Sequence, residues 1–268
     1  MSELDTQEPE GNSLARRIGY AVIWLGLISY AALYAPPARE ETWPIIFKML
    51  GGDTSVVDPS VFAVFNLLGV IPGMFAALLL SDAVGRRLPA WPFALGSCFG
   101  GAFAMMPYLI LRGDNRDVAG APGRWVRFFD SRPVGIALCA LTFGLVAFGL
   151  FGGSWEAYTA MWQIDPLVNV MTADFIVLVV LLSAYLPIDM RRRGLRPNGG
   201  WELCVAVPLL GPALYFALRP TLATAASLAA SPVQTETSSV NLRNALIMPL
   251  NLPVLYGNAI LENSENPE

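Results

Sequence analysis

The sequence predicts an all-α, polytopic helical membrane protein of about six transmembrane helices, and three observations carry that prediction. Six apolar stretches of 18–21 residues fill the chain between Ile18 and Leu218. A helix needs roughly 20 apolar residues to cross a hydrocarbon core of about 30 Å. Hydrophobic residues make up 54% of the chain and charged ones 14%, against roughly 25% charged in soluble domains. Of the tryptophans, only Trp24 falls inside a stretch, whereas Trp43, Trp91, Trp125, Trp155, Trp162 and Trp201 lie at ends or in connections. Indole rings collect in this way at membrane–water interfaces.

Residues 1–17 are acidic and read as a solvated, disordered N-terminus. The first span, Ile18–Ala35, follows Arg16 and Arg17 and is expected to remain uncleaved, since a cut after Ala35 would expose Pro36. Trp43–Leu50 is too short to cross and reads as an element lying in the headgroup plane. Val61–Leu80 and Trp91–Leu111 are the next two spans, with Pro72 and Pro107 each removing an intrahelical hydrogen bond. Pro133–Gly153, Leu167–Pro187 and Trp201–Leu218 complete the bundle of residues 18–220. The tail, 221–268, reads as flexible, with Asn244–Leu261 docked on the surface. Small residues four apart, at Gly69/Gly73, Gly96/Gly100 and Ala140/Gly144, predict close packing of the second, third and fourth spans.

Loop charge predicts orientation. With six spans the odd-numbered loops lie together and carry 11 of the 17 basic residues, which puts them in the cytoplasm or stroma and both termini opposite. Arg16, Arg17, Arg86 and Arg87 oppose that assignment. An internal repeat accounts for the conflict: Asn66–Arg112 aligns with Asn169–Arg219, each carrying an Asn, a basic loop, a Trp and a final Tyr-x-x-x-Arg. Two groups of three helices would be inverted relative to one another, a transporter habit.

Two absences limit the chemistry. There is no His, which excludes His-ligated metal and His-based triads or relays. Lys48 is the one lysine and lies in a loop, so no Schiff base forms within the bundle. Cys98, Cys139 and Cys204 stand singly in three spans, without metal-ligand spacing. No metal or cofactor is expected. A net charge of −4 implies no nucleic-acid partner.

Asp174 is the leading candidate site residue. A carboxylate about seven residues into a span costs on the order of 2.5–3.5 kcal/mol to insert and normally faces the bundle interior. Tyr185 is 11 residues on and about 20° round the helix, so the two share a stripe as candidate catalytic groups. Asn66, Asn169 and Thr172 are candidate binding residues, and Arg191, Arg192 and Arg193 candidate contacts to anionic headgroups. The alternatives are a helix-to-helix hydrogen bond for Asp174 and a topology signal for the arginines.

Asn169-x-x-x-x-Asp174, Asp189-x-Arg-Arg-x-Gly194 and Pro208-x-x-Gly211-Pro212 resemble uncharacterised cyanobacterial and plastid membrane proteins. More distantly they are similar to the plant neoxanthin-synthase family, in which the position of Asn169 tends to be His and Asp174 matches an intramembrane Asp. The resemblance covers roughly residues 155–220. It implies a photosynthetic membrane, thylakoid or plasma membrane, and a carotenoid-like isoprenoid ligand that the protein binds or isomerises between its helices. Two other readings stand beside it: a non-catalytic accessory or assembly factor among membrane-complex subunits, and a small proton-coupled transporter.

Overall fold

The structure is a computed structural model describing residues 10–37, 40, 42–82, 88–112, 123–196 and 200–222. All the regular elements among them are helices: α1 (Glu10–Leu33), α2 (Thr42–Leu50), α3 (Pro59–Asp82), α4 (Trp91–Leu111), α5 (Arg124–Phe129), α6 (Arg132–Gly152), α7 (Trp155–Ile164), α8 (Pro166–Arg192), α9 (Trp201–Ala206) and α10 (Leu210–Leu218). Four helices, α3, α4, α6 and α8, are long and apolar enough to cross a bilayer. That makes this a multi-pass membrane protein in type. α1 is not among the four, and it begins at Glu10, so part of the expected disordered N-terminus is helical. The expected surface-docked segment Asn244–Leu261 lies outside the described residues.

Helix starts follow from local sequence. Asp58 precedes Pro59 and accepts the Ser60 backbone N–H at 2.8 Å. Asp165 precedes Pro166 and accepts the Leu167 and Val168 N–H groups at 2.9 and 3.1 Å. In both cases a carboxylate satisfies orphan donors while proline occupies the first helical position, where no N–H is needed. Asp58 also accepts the N–H of Ser154, tying the start of α3 to the start of α7.

Two of the six expected spans do not run straight. α4 has a non-helical residue at its centre, Gly101, with φ 47° and ψ −130°. The rings of Phe93 and Tyr108 are nevertheless 5.5 Å apart. Fifteen residues of straight helix would separate them by about 22 Å along the axis. A Cβ on Gly96 would likewise sit 3.4 Å from that of Ala104. The chain therefore turns back at Gly101, and α4 is a hairpin whose two arms both end on one side. The last expected span behaves in the same way. It breaks into α9 and α10 at Leu209, which takes φ 64°. Trp201 and Tyr215 then meet edge to face at 5.8 Å, and a Cβ on Gly211 would sit 2.5 Å from the Cys204 carbonyl.

Contacts fix helix directions. Ala102 meets Asp174 while Arg112 meets Tyr185, so the second arm of α4 runs parallel to α8. α1 runs against that arm: Arg17 donates to the Arg112 carbonyl and Trp24 to the Phe103 carbonyl. α3 and α6 are antiparallel, with Gly149 against Ala63, Gly153 against Ser60 and Gly73 against Leu138. Close helix approach is thus made by Gly135 and Gly149 of α6 and by Gly153, which caps its end. The expected Gly144 and Gly69 have open space around them, and Gly96 and Gly100 pack within their own hairpin. The core is the inward stripe of α3, the second arm of α4 and α8, from Ile71 and Phe75 through Met105 and Met106 to Leu182 and Leu186.

Candidate functional site

Asp174 is buried at the tip of the α4 hairpin. Its Oδ1 accepts the Ala102 N–H at 2.8 Å. A Cβ on Gly101 would fall 1.7 Å from Oδ2, so only glycine fits at the turn. The second arm of α4 starts here, where backbone N–H groups have no partner of their own and the helix dipole is positive. The carboxylate serves as a cap supplied by a neighbouring helix.

Tyr185 lies on the same stripe of α8 as Asp174, as the spacing predicts. Arg112 donates to its hydroxyl, and the guanidinium carbon stands 4.7 Å above its ring. Eleven residues of helix separate Asp174 from Tyr185 by about 16 Å. The two expected catalytic residues therefore do not meet, and each bonds a different end of the second arm of the hairpin.

The expected binding residues are also dispersed. Asn66 donates to the Phe62 carbonyl of its own helix at 2.9 Å. Asn169 donates to the Trp162 carbonyl at 3.0 Å, holding α7 against α8. Thr172 bonds the Tyr158 hydroxyl at 2.6 Å. Burial raises the Tyr158 hydroxyl above its ordinary pKa, opposed by that bond to Thr172.

The arginines expected at headgroups part company. Arg191 is exposed and Arg192 half-buried, but Arg193 turns inward. It binds Asp189 at 2.8 Å and Asp130 at 2.7 Å. Arg219 joins the same two carboxylates, at 2.9 Å from Asp189 and 3.6 Å from Asp130. Tyr215 donates to Asp189 at 2.8 Å, and Arg193 also donates to the Pro220 carbonyl at 2.6 Å. This buried cluster of two cations and two anions locks together the ends of α5, α8 and α10. Burial alone would lower the Arg193 pKa, but the two carboxylates reverse it, and the pKa lies above its ordinary value. The sequence flagged the arginine run but not the cluster: Asp189 stands one turn before Arg193, whereas Asp130 and Arg219 come from other parts of the chain.

The space large enough for a ligand lies elsewhere. A cavity of about 710 Å³ opens between α3, the first arm of α4 and α5. Its inner wall is Pro72, Gly73 and Ala76, and the exposed Cys98, Trp91, Arg124 and Trp125 stand on its open side. A second, of about 380 Å³, runs between α3, α6 and α8 and meets Thr172 and Tyr158. A third, of about 280 Å³ and more polar, sits by the α4 turn and is lined by Asn66, Ser97 and Gly101. Asp174 and Tyr185 line none of these three. No cluster of metal-ligating side chains occurs among the described residues. No family model, curated protein or solved structure matches this chain.

Proposed function

We propose that this protein holds a lipophilic isoprenoid-class chain between its helices, in the cavity bounded by α3, the α4 hairpin and α5. The observation that carries this reading is the cavity itself. At about 710 Å³ it falls within the usual range for small-molecule sites, and its walls are almost wholly apolar. The resemblance around Asn169 and Asp174 implies an isoprenoid ligand, of which a carotenoid is one member, and a photosynthetic membrane. Binding rather than isomerisation fits the geometry better, because Asp174 is engaged by the hairpin and stands apart from the cavity wall. The test is extraction and mass spectrometry of what co-purifies with the protein from its own membrane. A near-stoichiometric isoprenoid that is lost from Leu95→Trp, a rim substitution that narrows the cavity, supports the reading. A preparation without isoprenoid that brings down other membrane subunits favours the accessory role.

The fold reading that accompanies this is two copies of one unit in the same orientation. Each unit holds a long helix, a short surface helix, a second long helix and a hairpin: α1 to α4, then α6 to α10. An offset of 107 residues pairs Asp58-Pro59 with Asp165-Pro166, Asp82 with Asp189, Arg86 with Arg193, and Tyr108 and Arg112 with Tyr215 and Arg219. Two crossings per unit make the copies parallel, not inverted. On this reading α1, with 24 residues but less apolar than the spans of α3, α6 and α8, crosses together with those three, and both hairpins enter from the arginine-rich end, which the positive-inside rule assigns to the cytoplasm or stroma. In this register the mate of Asp174 is Leu67.

A second reading, proton-coupled transport, draws on the polar cavity beside the α4 turn. Irregular backbone at membrane depth is tolerated where it is buried or lines water. Uptake by proteoliposomes under a pH gradient, abolished by Asp174→Asn, would favour transport over ligand holding.

A further inference from the structure

We infer that the chain held between α3, α4 and α5 carries an anionic end group, a phosphate on an isoprenoid alcohol, seated on Arg124. This rests on the proposed chain-binding reading and adds the chemistry of the ligand's polar end. The cavity is graded along its length. Pro72 and Ala76, both buried, and Gly73 make its deep part, while Trp91 and Trp125, both more than half exposed, stand at its mouth with Arg124. Tryptophans mark the headgroup level, where a ligand's polar end would come to rest.

Among the described residues, the charge lining that mouth is of one sign, with no Asp or Glu on the cavity wall. Asp130, the acidic residue that follows Arg124 in the chain, is committed to Arg193 and Arg219 in the buried cluster. The Arg124 guanidinium lies 5.0 Å from the Trp125 ring centroid. That contact steadies the group without neutralising it or using its donors. Arg127 is three residues on and so neighbours it on the same helix, also exposed. An arginine fork matches phosphate geometry. A neutral carotenoid would leave it without a counterpart, and a two-chain phospholipid would leave one of its chains outside this single compartment.

The experiment uses the full chain in detergent and three probes: geranylgeranyl monophosphate, the uncharged alcohol geranylgeraniol, and phosphatidylglycerol. Binding is read from the fluorescence of the rim tryptophans, confirmed by native mass spectrometry. The monophosphate should bind about tenfold more tightly than the alcohol, the size expected of a charge-assisted hydrogen bond. Arg124→Gln, at an exposed position, should bring the ratio near one while leaving the alcohol unchanged. Leu95→Trp should weaken both. Equal binding of alcohol and monophosphate, unaltered in Arg124→Gln, overturns the anionic end group but leaves chain binding standing. Failure of both isoprenoids to bind overturns the two together. Tighter binding of phosphatidylglycerol than of the monophosphate would assign the site to bilayer phospholipid and overturn the inference.

Discussion

A buried carboxylate beside a half-helix start suggests an acid, yet what surrounds Asp174 is backbone. Its partner is the Ala102 N–H, so the amide of Asn can replace it as an acceptor and a hydrocarbon cannot. Asp174→Asn should keep the protein folded, whereas Asp174→Leu should cost about 1–3 kcal/mol through the orphaned N–H, read as a fall in melting temperature in detergent. Loss of function in Asp174→Asn at unchanged stability would restore the catalytic reading. Asp189 carries heavier consequences. Removing its charge leaves Arg193 and Arg219 buried with less compensation, and Asp189→Asn should cost on the order of 3–5 kcal/mol. Asp58 offers a pH signature. Its partial burial would raise the carboxyl, but the bonds from Ser60 and Ser154 outweigh this, and its pKa lies below the ordinary 3.8. A group lowered in the folded state contributes stability above its unfolded pKa and loses it as pH falls through the folded value. Stability should therefore decline below about pH 4, and Asp58→Asn should flatten that decline in melting curves across pH. At this scale the sequence was informative about which residues matter and silent about their partners. Asp174 and Tyr185 share a stripe as their spacing says, but Ala102 and Arg112 come from a helix more than 70 residues earlier.

Among the elements, the hairpins are what span-counting misses. Trp91–Leu111 and Trp201–Leu218 have the length and apolarity of crossing helices, and hydropathy carries no information about reversal. The turn signals were present as Gly100-Gly101 and as Pro208 followed by Gly211-Pro212. They read as packing or family motifs because membrane helices tolerate both residues. The α4 turn should be intolerant. Gly101→Ala meets both the positive φ and the Asp174 carboxylate, for a cost on the order of 3 kcal/mol. Gly100→Ala places its Cβ in ordinary contact with Ala104, 3.4 Å away, and should be far milder. Leu209 tests the other turn. At its φ of 64° a β-carbon is strained, so Leu209→Gly should be more stable than Leu209→Ala by about 1 kcal/mol, even though Gly is the smaller residue. Equal stability of that pair would mean the second turn relaxes without strain. The helix caps were more legible, since Asp-Pro before an apolar run is a local signal with a local cause.

For the whole molecule, the arrangement of the arginines decides between two topologies. Six straight spans set Arg16 and Arg17 against Arg112 and Arg191–Arg193, a conflict that an inverted repeat would have absorbed. With two spans folded back, Arg17 lies beside the Arg112 carbonyl, and the conflict disappears because these arginines share one end. Tyr108-x-x-x-Arg112 and Tyr215-x-x-x-Arg219 were visible in sequence, but the relative orientation of the two proposed units depends on whether each crosses an odd or an even number of times. Single cysteines on a background with Cys98, Cys139 and Cys204 replaced, labelled from each side of sealed vesicles, separate the alternatives. Hairpins place Ser2→Cys on the same side as Asn115→Cys and Gly52→Cys on the other. Six straight crossings reverse both relations, with Ser2→Cys opposite Asn115→Cys and Gly52→Cys beside it. Glu156→Cys is opposite Asn115→Cys in either case and controls for vesicle integrity. Joint labelling of positions 2 and 115 from the cytoplasmic side, with 52 protected, is the outcome expected. It would set both hairpins and the mouth of the α3–α4–α5 cavity on that side, within reach of phosphorylated ligands.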